Sequence, residues 1–186
     1  MYGHLGYNQI VAYDARAVSN HLLDLAERDG KKISPMKMQK LVYNAHGLCL
    51  AIYDRPLIDE SVQAWTFGPV VQSLYHEFKK YGSGDITAKA TKFDFTGPKF
   101  SYRIVTPSIR DNCENPQLTA QSIDLLEAVW ETFGGLSAVQ LSNLTHEPGT
   151  PWSVTVKENP GKKGVDIPDS LMKEWFAGRT ATTSAK

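Results

Sequence analysis

A chain of 186 residues with 41% hydrophobic and 22% charged side chains is too apolar to stay disordered, and it is long enough to bury roughly 70% of the surface its unfolded form exposes. Twenty basic side chains against twenty acidic ones leave no net charge, which removes the global attraction expected of a dedicated DNA or RNA binder. Two cysteines, Cys49 and Cys113, make neither a disulfide framework nor a zinc spacing, so a reducing cytoplasm fits best. The first residues lack the basic start and apolar run of a secretory signal, and no stretch approaches the ~20 apolar residues of a membrane span.

Asp14 is placed to cap a first helix to about Asp29, with Ala15, Val18, Leu22, Leu25 and Ala26 on one face and Gly30 as its stop. Ser34 and Pro35 start a second helix through Tyr53: the serine accepts from the free amides, and proline suits the first helical position. Met38, Leu41, Val42, Ala45, Leu48, Cys49 and Ile52 form one apolar face, and Tyr43, Gly47 and Leu50 a second on nearly the opposite side. Only Lys37, Lys40 and Asn44, and the strip of Gln39 with His46, interrupt the apolar surface. A helix apolar on two sides is packed on two sides, so this one is expected at the centre, with Gly47 kept where a neighbour approaches the backbone. The polar strips are expected to stay in water, free to meet a partner.

An extended connection with at most a very short strand follows, laying Trp65 and Phe67 against the core. Gly68-Pro69 reads as the start of a third helix, with Val71, Leu74, Tyr75 and Phe78 apolar and Tyr81-Gly82 as its end. Phe93 to Phe95 and Phe100 to Ile104 alternate around a Gly-Pro turn and predict a hairpin, which must lie on the helices because a lone hairpin is marginal. A helix from about Pro116 ends at Gly134-Gly135, and Ser137 with Gln140 has the spacing of a capping box before Leu141 and Leu144. The two prolines and glycine of 145–152 stop that helix, a basic loop runs from Lys157 to Gly164, and a last helix carries Leu171, Met172, Trp175 and Phe176. The fold class is therefore mainly α: a single-domain helical bundle around the buried helix 34–53, with a small β-hairpin insertion. Residues 1–13 read as an N-terminal extension, 14–177 as the domain and 178–186 as a flexible tail.

Five scattered histidines make no metal-ligand spacing, and neither a phosphate loop nor a nucleophile elbow is present, so no metal and no cofactor are expected. Cys49 with His46 sits three residues apart on a helix, but a thiol on an apolar stripe reads as inert core. His146 beside Glu147 at a helix end could do acid-base work, as in a small hydrolase. Against this, Thr145 and His146 can equally satisfy the last helical carbonyls. Trp65, Phe67, Tyr75, Tyr43 and Trp152 suggest an aromatic contact surface or simply core. Lys31, Lys32, Lys37 and Lys40 could form a basic face for nucleic acid, while Lys37 and Lys40 read as solvated, or as a rim that pairs with an acidic partner.

The ordered set Lys40-Leu41-Val42-Tyr43-x-Ala45-x-Gly47, Pro56-Leu57, Ala64-Trp65-x-x-Gly68-Pro69-Val70 and Leu141-Ser-x-Leu144-Thr145-His146 with Pro151-Trp152 resembles the Panacea domain. That family includes phage-associated GepA-like proteins and SocA-like antitoxins, and the resemblance covers roughly residues 14 to 177. It implies a mainly helical, non-enzymatic protein of a prophage-linked toxin-antitoxin system that neutralises a toxin encoded nearby by binding it. The SocA branch further implies an adaptor that delivers the toxin to the ClpXP protease. Since only the last residues look loose, neutralisation would fall to the folded surface. Lys37, Lys40, Tyr43, His46, Trp65, Phe67, Thr145, His146 and Trp152 are the candidate partner-binding residues.

Overall fold

The computed structural model describes residues 12–95, 101–111 and 115–183. The fold is mainly α. Helix α1 (Ala15–Arg28) opens on Asp14, whose side chain accepts from the Arg16 amide, and Gly30 follows it in the left-handed region at φ +62°. Tyr13, expected to be the end of an extension, is buried and bridges in parallel to Ile58. Residues 1–11 lie outside the described part. Helix α2 (Pro35–Tyr53) begins on Ser34, which accepts from the Lys37 amide, with Pro35 in the first turn.

Strands β1 (Val62–Trp65) and β2 (Gly68–Val71) form an antiparallel hairpin in which Ala64 faces Pro69 and Trp65 faces Gly68, leaving Thr66 and Phe67 as the turn. The expected helix start at Gly68-Pro69 is thus wrong: helix α3 (Gln72–Phe78) begins three residues later and passes through a 3-10 turn to Gly82. Gly68 at φ +101° suits the tight hairpin rather than a helix. Proline is tolerated because β2 is an edge strand of a three-stranded sheet with β1 in the middle, where a missing N–H breaks no ladder bond.

Strands β3 (Lys92–Asp94) and β4 (Arg103–Val105) are the second hairpin, with Phe93 facing Ile104. Its turn, 96–100, lies outside the described residues, as does Cys113. The hairpin turns its apolar side to solvent: Phe93, Phe95, Tyr102 and Ile104 are all exposed.

Helix α4 (Pro116–Phe133) is capped by Asn115, and α5 (Ala138–His146) has the full capping box, Ser137 N donating to Gln140 Oε1 at 2.8 Å and Gln140 N to Ser137 Oγ at 3.2 Å. A further helix, α6 (Pro151–Glu158), occupies what reads as a turn and a basic loop. Thr150 caps it and also donates to the Thr145 carbonyl at 2.7 Å, so one hydroxyl joins the end of α5 to the start of α6. Strand β5 (Val165–Asp166) pairs with β1, and α7 (Asp169–Thr183) is the last described element. The tail expected from Gly178 is helical as far as Thr183. Arg179 in that stretch lies over the Trp175 ring at 4.7 Å and near Glu147, anchoring the last turns.

Helix α2 packs on α1, α3, α4, α5, α7 and β2. Thirteen of its nineteen residues are buried, and they include both polar strips. Gly47 faces the Phe176 ring of α7 so closely that a Cβ there would overlap it, the approach its presence implied.

Candidate functional site

The polar strips of α2 are not solvated; they hold backbone. Gln39 spans Val71 of the edge strand, accepting from its N–H at 2.8 Å and donating to its carbonyl at 3.1 Å. One residue on, Lys40 Nζ donates to the carbonyls of Phe67 at 2.7 Å and Pro69 at 3.1 Å. Pro69 and Val71, two apart, turn the same edge outward, and α2 satisfies every polar group on it: two carbonyls, one amide, and a position where proline has none. Sealing an edge in this way prevents strand addition. Lys40 is 1% exposed, and burial without a carboxylate pushes its amine down to about 7.

The turn between β1 and β2 is fastened from the other side by α5 and α6. Trp152 Nε1 donates to the Trp65 carbonyl at 2.9 Å, and Ser142 Oγ to the Phe67 carbonyl at 3.4 Å. A Cβ on Gly68 would meet both Lys40 Nζ and Thr145 Oγ1, so glycine is required by space as well as by φ. The effect is to present Phe67, 75% exposed, at the tip. Trp65 is half-buried, its ring 4.9 Å from that of Tyr75 on α3 and its Nε1 bonded to Gln63. Met36, Gln39, Lys40, Trp65, Phe67, Val70, Tyr75 and Lys79 line a groove of about 450 Å³ beside the tip.

Of the nine candidate residues, Lys40, Trp65, Phe67, Thr145, His146 and Trp152 converge on this hairpin; Lys37, Tyr43 and His46 do not. Lys37 is buried, donates to the Gly134 carbonyl at 2.7 Å and lies over the Trp130 ring, so it closes the end of α4. Tyr43 is core, edge-on to Phe176. His46 Nδ1 accepts from the amides of Leu57 and Ile58, which leaves Nε2 carrying the proton toward Asp169 Oδ1 at 3.2 Å. The reading of Lys37 and Lys40 as a solvated rim is overturned by their burial. The four-lysine basic face fails with it, because two of its members point inward.

The acid-base pair is not assembled. His146 Nδ1 donates to the Ser142 carbonyl at 2.6 Å and its ring lies 4.0 Å from that of Trp152, tilted by 51°, while Thr145 Oγ1 donates to the same carbonyl at 2.7 Å. Glu147 turns toward Arg179. Among the described residues no group of three His, Cys, Asp or Glu side chains could hold a metal ion. Burial pushes the Cys49 thiol up to about 11, as befits an inert core group.

Residues 38–153 match the sequence family described as "Antitoxin SocA-like, Panacea domain". The chain belongs to the SocA-like Panacea family. It is also 35% identical over 175 residues to "Antitoxin SocA" of Caulobacter vibrioides (strain NA1000 / CB15N), an alignment that covers 92% of this chain and 86% of that one. No solved structure matches. The matched stretch runs from Met38 to Ser153, so it spans α2, the β1–β2 hairpin and the start of α6. Within the Panacea family resemblance, Ala64-Trp65-x-x-Gly68-Pro69 and Thr145-His146 with Trp152 are two halves of one fastening. Sequence reasoning left Met36, Ser142 and Lys79 out of this site and placed Gln39 on a strip in water rather than on the strand edge. Gln39 and Lys40 side by side on an otherwise apolar helix were the available signal.

Proposed function

We propose that this protein is the antitoxin of a prophage-linked pair, acting in the cytoplasm by binding a toxin encoded beside it through its folded surface. The observation that carries this reading is what the signature residues do: they hold an aromatic turn rigidly outward and assemble no reactive pair. A preorganised aromatic tip is what a protein contact uses, because little side-chain entropy is lost when it docks. No helix among the described residues is long and apolar enough to cross a membrane, which is compatible with a partner met in solution. The SocA resemblance extends the proposal to delivery of the bound toxin to ClpXP.

Co-expression with the product of the adjacent gene tests it. A stable complex that restores growth is the expected result, and absence of both with every neighbouring product refutes it. Delivery predicts that the toxin's half-life shortens when the antitoxin and ClpXP are both present; an unchanged half-life leaves binding alone as the mechanism.

A further inference from the structure

The groove beside the hairpin tip combines mostly apolar walls with lysines and, among the described residues, no acidic lining residue. The chain as a whole is neutral, yet among the described residues the only charged groups lining this groove are Lys40 at its floor and Lys79 at its rim. No ion pair among the described residues engages either. The remaining walls are mostly apolar or aromatic, including Met36, Trp65, Phe67, Val70 and Tyr75. Phe67 and Tyr75 are 75% and 41% exposed, a cost in water that a buried contact would relieve. Methionine adapts to a partner's shape, and rigid aromatics anchor it.

Resting on the antitoxin reading above, we propose that this groove is the docking site for an apolar segment of the toxin that bears a carboxylate, which pairs with Lys79. Charge complementarity selects that chemistry. Lys40 Nζ is taken up by the Phe67 and Pro69 carbonyls, so exposed Lys79 makes the contact. A nucleic-acid strand fits less well, since neutralising a run of phosphates takes several reachable cations and the groove offers one.

The test measures toxin binding by calorimetry with the full chain and with Phe67→Ala, Tyr75→Ala and Lys79→Glu, each checked for native circular dichroism, and with Phe93→Ala on the second hairpin as a control. The groove variants are expected to weaken binding by about tenfold or more, and the control by less than about twofold. If the unaltered chain binds and all three groove variants bind as well as it does, or if Phe93→Ala alone weakens binding, the groove inference is overturned while the antitoxin reading stands. If the unaltered chain binds no neighbouring product, that reading fails and a direct probe decides the groove: the blocked peptide Leu-Trp-Glu-Leu against Leu-Trp-Gln-Leu, followed by amide NMR shifts. Shifts at Met36, Phe67, Tyr75 and Lys79 that weaken with the glutamine peptide support the groove. No shifts, shifts elsewhere, or duplex DNA binding that Lys79→Glu abolishes overturn it.

Discussion

Lys40 concentrates the physical chemistry of the site in one side chain. Its ammonium faces the carbonyls of Phe67 and Pro69, with the Thr145 hydroxyl close by across Gly68, and no carboxylate compensates its burial. The folded amine titrates near 7, whereas the unfolded one stays near its ordinary 10.5. Between those values the unfolded chain binds the extra proton, so the contribution of Lys40 to stability rises with pH, by at most about 1.4 kcal/mol per unit. Below pH 7 both states are protonated and the penalty is fully present. Urea unfolding at pH 7 and pH 9 should show this increment in the unaltered chain, and it should be absent from Lys40→Met. An identical pH dependence in both proteins would mean that the amine keeps its charge. His146 belongs to the same scale. Its ring satisfies the Ser142 carbonyl and packs at a tilt against Trp152, so His146→Ala should lose about 1–2 kcal/mol of stability yet leave toxin neutralisation intact. Lost neutralisation in a normally folded variant would restore a direct role. The burial of both lysines was not legible in the sequence, because a lysine that caps a strand edge and one in water occupy the same helical spacing.

The same limits show in whole elements. Helix starts with a side-chain acceptor were readable at Asp14, Ser34-Pro35 and Ser137, because a cap is a local device. Thr150-Pro151 is the same device as Ser34-Pro35, yet α6 is only 8 residues long and the two prolines and glycine around it mimic a plain turn. Gly68-Pro69 misled in the opposite sense. Proline after glycine suits a helix start and an edge strand alike, and the choice is made by Gln39 and Lys40, about thirty residues away. Gly68→Ala tests whether the hairpin is the fastened unit the geometry describes. An alanine at φ +101° would be strained and would displace Lys40 Nζ, so a loss of about 1–3 kcal/mol or more is expected in urea unfolding. An unchanged midpoint would show that the turn relaxes freely. In Gly47→Ala, helix propensity would gain about 1 kcal/mol, but the new methyl overlaps Phe176. Overpacking of about 1–3 kcal/mol should outweigh the gain, and adding Phe176→Leu should recover part of the loss. A stabilised Gly47→Ala would mean that α7 shifts aside without cost.

At the scale of the whole molecule, α7 closes the structure over α2 at both ends of their contact. His46 reaches Asp169, Lys173 reaches Asp54, and Phe176 fills the space over Gly47 and Tyr43. Cys49 is fully buried on α2 within the core cluster, and its thiol, pushed up to about 11, is almost entirely unionised at neutral pH. Reaction with a thiol reagent therefore requires an opening that separates α2 from its neighbours, which for a helix packed on six other elements is close to global unfolding. In a Cys113→Ser background, the labelling rate of Cys49 in a disulfide reagent at pH 8 should be slow and should rise with urea along the slope of equilibrium unfolding. Cys49 lies on the face of α2 turned away from Gly47 and Phe176, so its labelling reports the opening of the other side of the helix rather than the lifting of α7 alone. Fast labelling of the intact chain, or a urea slope well below that of unfolding, would show instead that the elements packed on that face move away on their own and that its closure is a local door rather than part of the fold.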